Sequence, residues 1–219
     1  MTRTATELLD TTIAALAPDP RANRLVPLIA RGEASPVALQ ALALEQQWVI
    51  PADRRAFLHL AQRAEGDPAA AYFTSLAEGE SLAAGHLAAF ARACGVDEDR
   101  SRAYEPDPGA QSYPGYLAWL ALNASPADAV LAITANFSAW GGYCATIAEA
   151  LRGHYGFDAE ACAFFTFFAE PAPALERAAT AAVAAGLESG RLDPHRAHTY
   201  GRLLQSYEAL FWDTLLRSA

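Results

Sequence analysis

The stretch Tyr207-Glu208-Ala209-Leu210-Phe211-Trp212 lies near the end of the last long helical pattern of the chain. At about 3.6 residues per turn, Glu208, Phe211 and Trp212 share a face with Leu204 and Leu215, so a carboxyl group stands inside a stripe whose other members belong in a core. Burying an ionised carboxyl without partners is costly, so such a group is hydrogen-bonded, paired, or held protonated with a raised pKa. Two readings stay open from the spacing: a structural acid satisfied by a neighbouring Arg or Tyr or reaching solvent, and an acid that exchanges protons.

The rest of the chain narrows the setting of that acid. With 219 residues, 53% hydrophobic and mean hydropathy +0.06, it is long enough for one well-buried core, and no composition shift divides it. A single domain over residues 1–219 is the expectation. Ala and Leu dominate the apolar residues, and polar residues break the apolar stretches at helical spacing, which predicts an all-α fold without a membrane span. The first residues show no apolar core of signal-peptide length, so a cytoplasmic location is expected.

Cys94, Cys144 and Cys162 are odd in number, widely spaced and set in apolar helical segments, a pattern of reduced thiols, two of them core. The formal net charge is −9 and the Arg residues are scattered, apart from Arg54-Arg55, so no basic stripe offers itself to a run of phosphates. Nucleic acid is not an expected partner; a small molecule is.

Proline, glycine and capping residues cut the chain into eight to ten helical segments. Residues 4–17 form the first, stopped by Pro18 and Pro20. Ser35-Pro36 caps a second to about Val49, Pro51-Ala52-Asp53 opens another to Glu65, and Asp67-Pro68 starts one that runs to Cys94 before Gly95. Glu105 to Gly109 reads as a loop; Tyr113 to Asn123, Ser125-Pro126 to His154, and residues 159–168, 172–188 and 194–217 read as helices. Gly141-Gly142 inside a helix marks close packing or room left for a ligand.

Three segments together resemble the TenA group: Leu25 to Pro36, the pattern Ser112-Tyr113-Pro114-Gly115-Tyr116-Leu117 leading to Trp140 and Tyr143, and the terminal Tyr207 to Trp212. Their order and spacing match along nearly the whole chain. Gln46-Gln47-Trp48-Val49-Ile50-Pro51-Ala52-Asp53 looks more like the PqqC side of the same superfamily. The resemblance implies a haem-oxygenase-like orthogonal helical bundle around a central, aromatic-lined pocket, in a homodimer or homotetramer.

By that resemblance Glu208 matches the C-terminal active-site glutamate, Tyr113 a pocket tyrosine, and Tyr143 the tyrosine that follows the nucleophile. The nucleophilic cysteine itself, expected in a Pro-Cys-x-x-x-Tyr context, is absent: four residues before Tyr143 stands Ala139, and the nearest hydroxyl is Ser138. Cys144 points about 100° away around the helix from Tyr143 and reads as core. The aspartate that grips the aminopyrimidine in thiaminase-like members aligns with Gln47, which keeps hydrogen-bonding ability and loses the charge.

Metal-dependent relatives use the same bundle to hold iron with about six His, Glu and Asp ligands on four helices. Glu80, His86 and Glu149 lie in suitable segments, and His86 is the histidine with the best claim to face inward, although a surface or satisfied core place is the favoured reading even for it. The decisive His-x-x-x-Asp-x-x-His pattern is missing, because the corresponding helix reads Phe164-Phe165-Thr166-Phe167-Phe168. No cofactor is called for.

These residues compose a water-excluding cavity walled by Trp48, Tyr113, Phe137, Tyr143, Phe168 and Trp212, with Glu208 as general acid or base and Gln47 and the two tyrosines orienting a flat or heteroaromatic substrate. A hydrolase or lyase type of reaction follows. The alternatives are a non-catalytic small-molecule binder with the same fold, and a non-haem iron oxidase.

Overall fold

The computed structural model describes residues 4–19 and 21–217, so the stop expected at Pro20 lies outside the described residues. Among the described residues the chain forms ten helices and no strand: α1 Ala5–Leu16, α2 Leu25–Ala30, α3 Pro36–Arg63, α4 Pro68–Ala93, α5 Glu98–Ala103, α6 Pro108–Asn123, α7 Pro126–His154, α8 Ala159–Ala169, α9 Pro173–Glu188 and α10 Pro194–Arg217. The all-α expectation holds. None of these helices is long and apolar enough to cross a membrane.

Local chemistry accounts for most of the starts. Thr4 and Glu7 make a reciprocal capping box on α1; Ser35, Asp67, Asp107 and Ser125 each accept a backbone N–H with Pro in the first turn of the helix that follows. α4 stops at Gly95, whose φ of 75° lets the chain reverse while the Val96 N–H donates to the Ala91 carbonyl at 2.9 Å.

Two boundaries differ from the sequence reading. α3 runs unbroken through Pro51 instead of splitting there. Proline inside a helix costs about 3 kcal/mol and leaves one carbonyl without its donor. Here the ring is exposed, while Val49, Ile50, Ala56 and Phe57 on either side are buried and hold the helix together. Glu105 to Gly109 is not all loop, because Asp107 caps α6 through the Gly109 N–H at 2.7 Å and Pro108 begins it.

The buried residues form two clusters, and α3, α4, α7 and α10 contribute to both. One gathers the first half of α3 with α2, α8, the second halves of α4 and α7, and the end of α10. The other gathers α1, α9 and most of α6, whose Ala110 belongs to the first, with the remaining halves of those four long helices. Tyr113 packs against both clusters, and beside it the packing opens into a cavity.

Candidate functional site

The cavity and its open mouth together span about 430 Å³ between walls supplied by six helices. α3 lines it with Gln46, Val49, Ile50 and Asp53, positions i, i+3, i+4 and i+7 of one face. α4 adds Glu80, α6 Tyr113, α7 Asn136, Phe137 and Trp140, α8 Phe168, and α10 Glu208 and Phe211.

Glu208 is buried, and both carboxylate oxygens are held. Asn136 Nδ2 donates to Oε2 at 2.5 Å and Trp212 Nε1 to Oε1 at 3.2 Å, one turn along the same helix. Tyr113 Oη donates to Asn136 Oδ1 at 3.2 Å, so tyrosine, carboxamide and carboxyl form one chain along the cavity wall. Burial drives the Glu208 pKa up, the two N–H donors pull it back, and the balance lies at about 7. At such a pKa the carboxyl is part protonated and part ionised at neutral pH.

Glu208 also lines a second space. An outer groove of about 700 Å³ lies between the end of α1 with the turn after it, Tyr143 of α7, and Arg202, Gln205 and Trp212 of α10. The same side chain therefore borders both the inner cavity and the groove. Tyr143 faces the groove, its ring edge-on to Trp212 at 5.6 Å, and burial raises its phenol to about 12.

Asp53 and Glu80 are buried with no hydrogen-bonding partner for Asp53 Oδ1 or Glu80 Oε2. Burial raises both pKa values well above the usual carboxylate range, and for Glu80 the neighbouring Asp53 adds to the effect. Glu45 is the contrast: equally buried, it accepts from Tyr104 Oη at 2.5 Å, the Asp107 N–H at 2.7 Å and Gln111 Nε2 at 2.6 Å, and ties α3 to the start of α6. Glu45 is structural, whereas Asp53 and Glu80 are left open toward the cavity.

Of the residues singled out in the sequence, Glu208, Tyr113, Phe137, Phe168 and Glu80 meet at the inner cavity, while Tyr143 and Trp212 line the groove on the other side of Glu208. The rest fall elsewhere. Trp48 is 49% exposed, and Gln47 turns to α5, where its Nε2 donates to Ser101 Oγ at 3.0 Å. Gln46, one residue and about 100° earlier on the helix, occupies the cavity wall instead. Ser138, His86 and Glu149 are exposed; His86 lies against the Phe167 ring at 6.1 Å rather than facing inward. Cys144 is fully buried and lines neither space.

The sequence reading missed Gln46, Asp53, Asn136, Trp140 and Phe211 as wall residues. The stripe Gln46-Val49-Ile50-Asp53 carried a signal, hidden because Pro51 was read as a helix break. Among the described residues no group of three or more His, Cys, Asp and Glu is placed to hold a metal ion, so Glu80 has no His86 or Glu149 beside it to complete a ligand set.

A model of the TENA/THI-4/PQQC family matches residues 29–218. Among solved structures, a TenA homologue from Pseudomonas syringae is similar with a TM-score of 0.76 at 12% identity, covering 99% of each chain. One from P. horikoshii gives 0.72 at 14%, covering 99% of this chain and all of that one. One from Pyrococcus furiosus gives 0.64 at 14%, covering 97% of this chain and 100% of that one. No curated protein matches by sequence. The bundle is therefore haem-oxygenase-like, as the resemblance implied.

Proposed function

This chain belongs to the TENA/THI-4/PQQC family, and on that footing we propose that it is an enzyme acting on a small flat or heteroaromatic molecule in the inner cavity, with Glu208 as general acid or base. The observation that carries this reading is the Glu208 carboxyl itself, poised at about 7 and bordering both cavity and groove. A general acid or base works best with a pKa near the working pH, and positioned proton transfer contributes roughly 10²–10⁴ in rate.

The chemistry is not of the cysteine type. Ala139 stands where the nucleophile would be, and Cys144 is sealed in the core with its thiol pKa raised by burial and by Glu208 and Glu80. Glu208 then works alone, giving a proton to a leaving group or taking one from water. Tyr113 and Asn136 hold its position, and the rings of Phe137, Trp140 and Phe168 stack the substrate and exclude water. Hydrolysis or elimination fits such a lone acid–base group.

The test is turnover of a panel of substituted heteroaromatic compounds followed by chromatography and mass spectrometry. The Glu208→Gln variant is expected to lose at least about 100-fold in kcat on any compound the wild type converts. Unchanged turnover would defeat the role, and compounds that bind without conversion would favour a binding protein.

A further inference from the structure

Resting on the reading that the cavity takes a small flat ligand, we propose that the wall built by α3 and α4 is a subsite for an organic cation, an amidinium or primary ammonium group held by Asp53 and Glu80 with Gln46 beside them. Three carboxyls line the cavity, on Asp53, Glu80 and Glu208, and its lining contains no Lys, Arg or His. Such a cavity has no counter-charge of its own.

The unpartnered atoms point the same way. Gln46 Oε1, Asp53 Oδ1 and Glu80 Oε2 are buried without a hydrogen-bond partner; the amide oxygen accepts, and both carboxyls accept once ionised. Leaving such atoms unpaired is costly, so a ligand that brings N–H donors recovers the loss. Tyr113 Oη is taken up by Asn136 and Asn136 Nδ2 by Glu208, and neither Gln46 Nε2 nor Trp140 Nε1 reaches these three oxygens. The missing partner is therefore a group with several N–H donors.

A positive charge on that group lets the two carboxyls give up their protons side by side and makes the hydrogen bonds charge-assisted. The aromatic faces of Tyr113, Phe137, Trp140 and Phe168 favour a flat cation over a hydrated ion. Asp53 and Glu80 with the Gln46 carbonyl offer a metal ion two carboxyls and one amide oxygen, and among the described residues no third His, Cys, Asp or Glu joins them.

The probe is benzamidine, with benzamide as its neutral counterpart of the same shape, measured on the full-length protein by calorimetry and thermal shift. Benzamidine is expected to bind at least about tenfold more tightly than benzamide, the scale of a charge-assisted hydrogen bond. The double variant Asp53→Asn, Glu80→Gln should abolish that preference, with circular dichroism confirming the fold, and Glu208→Gln should keep it. Equal binding of the two probes, or none, to the wild type overturns the proposal whether or not the variants fold. So does a preference that survives the double variant or vanishes in Glu208→Gln, or stabilisation through Asp53 and Glu80 by zinc and not by benzamidine. Loss of turnover in Glu208→Gln without any benzamidine preference would remove the subsite and leave the acid–base role. A benzamidine preference with unchanged turnover would do the reverse.

Discussion

Asn136 Nδ2 donates to Glu208 Oε2 at 2.5 Å, joining α7 to α10 at the cavity wall. Hydrogen bonds given to a carboxylate favour its charged form, so this contact holds the Glu208 pKa down against burial. Asn136→Leu should let it rise above about 7, and the midpoint of the pH dependence of turnover should move up with it. A rise of one unit takes the ionised fraction at pH 7 from about a half to about a tenth. A midpoint that stays put or falls would mean that Asn136 does not act on Glu208.

Asp53 and Glu80 also bear on stability. Their folded pKa values are raised, so between the ordinary carboxylate range and those values the folded state holds more protons than the unfolded one. Stability is then full at low pH and lost as pH rises through that window. Asp53→Asn removes one unpartnered buried acid. Its melting temperature should exceed that of the wild type at pH 8 by a few degrees, about 2–4 °C for each kcal/mol, and the gap should close near pH 4. A variant less stable at pH 8 would show that Asp53 has a partner in the fold.

Cys144 should behave as a core residue. Buried and with its pKa raised, its thiol is not the thiolate that attacks electrophiles. In the native protein it should resist iodoacetamide, and Cys144→Ala should convert substrate within about threefold of wild type, at a stability cost of about 1 kcal/mol for the small void. Loss of turnover with the fold retained would restore a cysteine to the chemistry.

Gly201 marks where α1 crosses α10. A Cβ there would stand 2.4 Å from Leu16 Cδ1 and 3.5 Å from Ala132 Cα, so Gly201→Ala must push Leu16 toward the outer groove that it lines. Overpacking of this kind costs about 1–3 kcal/mol, partly offset by about 1 kcal/mol of helix propensity. A net fall in melting temperature is expected, and Leu16→Ala in the same chain should reduce the penalty. Both effects can be read in thermal unfolding.

The helix starts could be read in the sequence because capping is local: Ser35-Pro36, Asp67-Pro68 and Ser125-Pro126 each carry their own signal within a few residues. Glu208 stood out because a carboxyl at helical spacing among Leu204, Phe211 and Trp212 breaks the pattern of its face. The α3 wall was hidden for a tertiary reason. Packing on both sides of Pro51 overrides the break that proline implies, and Asp53 then turns inward rather than capping a new helix.

A one-residue slip separates Gln47 from Gln46, and at about 100° per residue it exchanges the cavity for α5. His86 and Glu149 failed in a similar way, since their segments run past the cavity while their own positions face solvent. Asn136 had little to mark it, because its importance lies in a partner far along the chain.

Proton exchange at Glu208 is read most directly by an infrared or carbon-13 titration of the carboxyl groups in the ligand-free protein, comparing wild type with Glu208→Gln. One carboxyl should lose its proton near pH 7 in the wild type and be missing from the variant. A Glu208 signal that titrates in the ordinary carboxylate range near 4.5 would contradict it, because a group already ionised at neutral pH would be held as a fixed charge by Asn136 and Trp212 rather than exchanging protons.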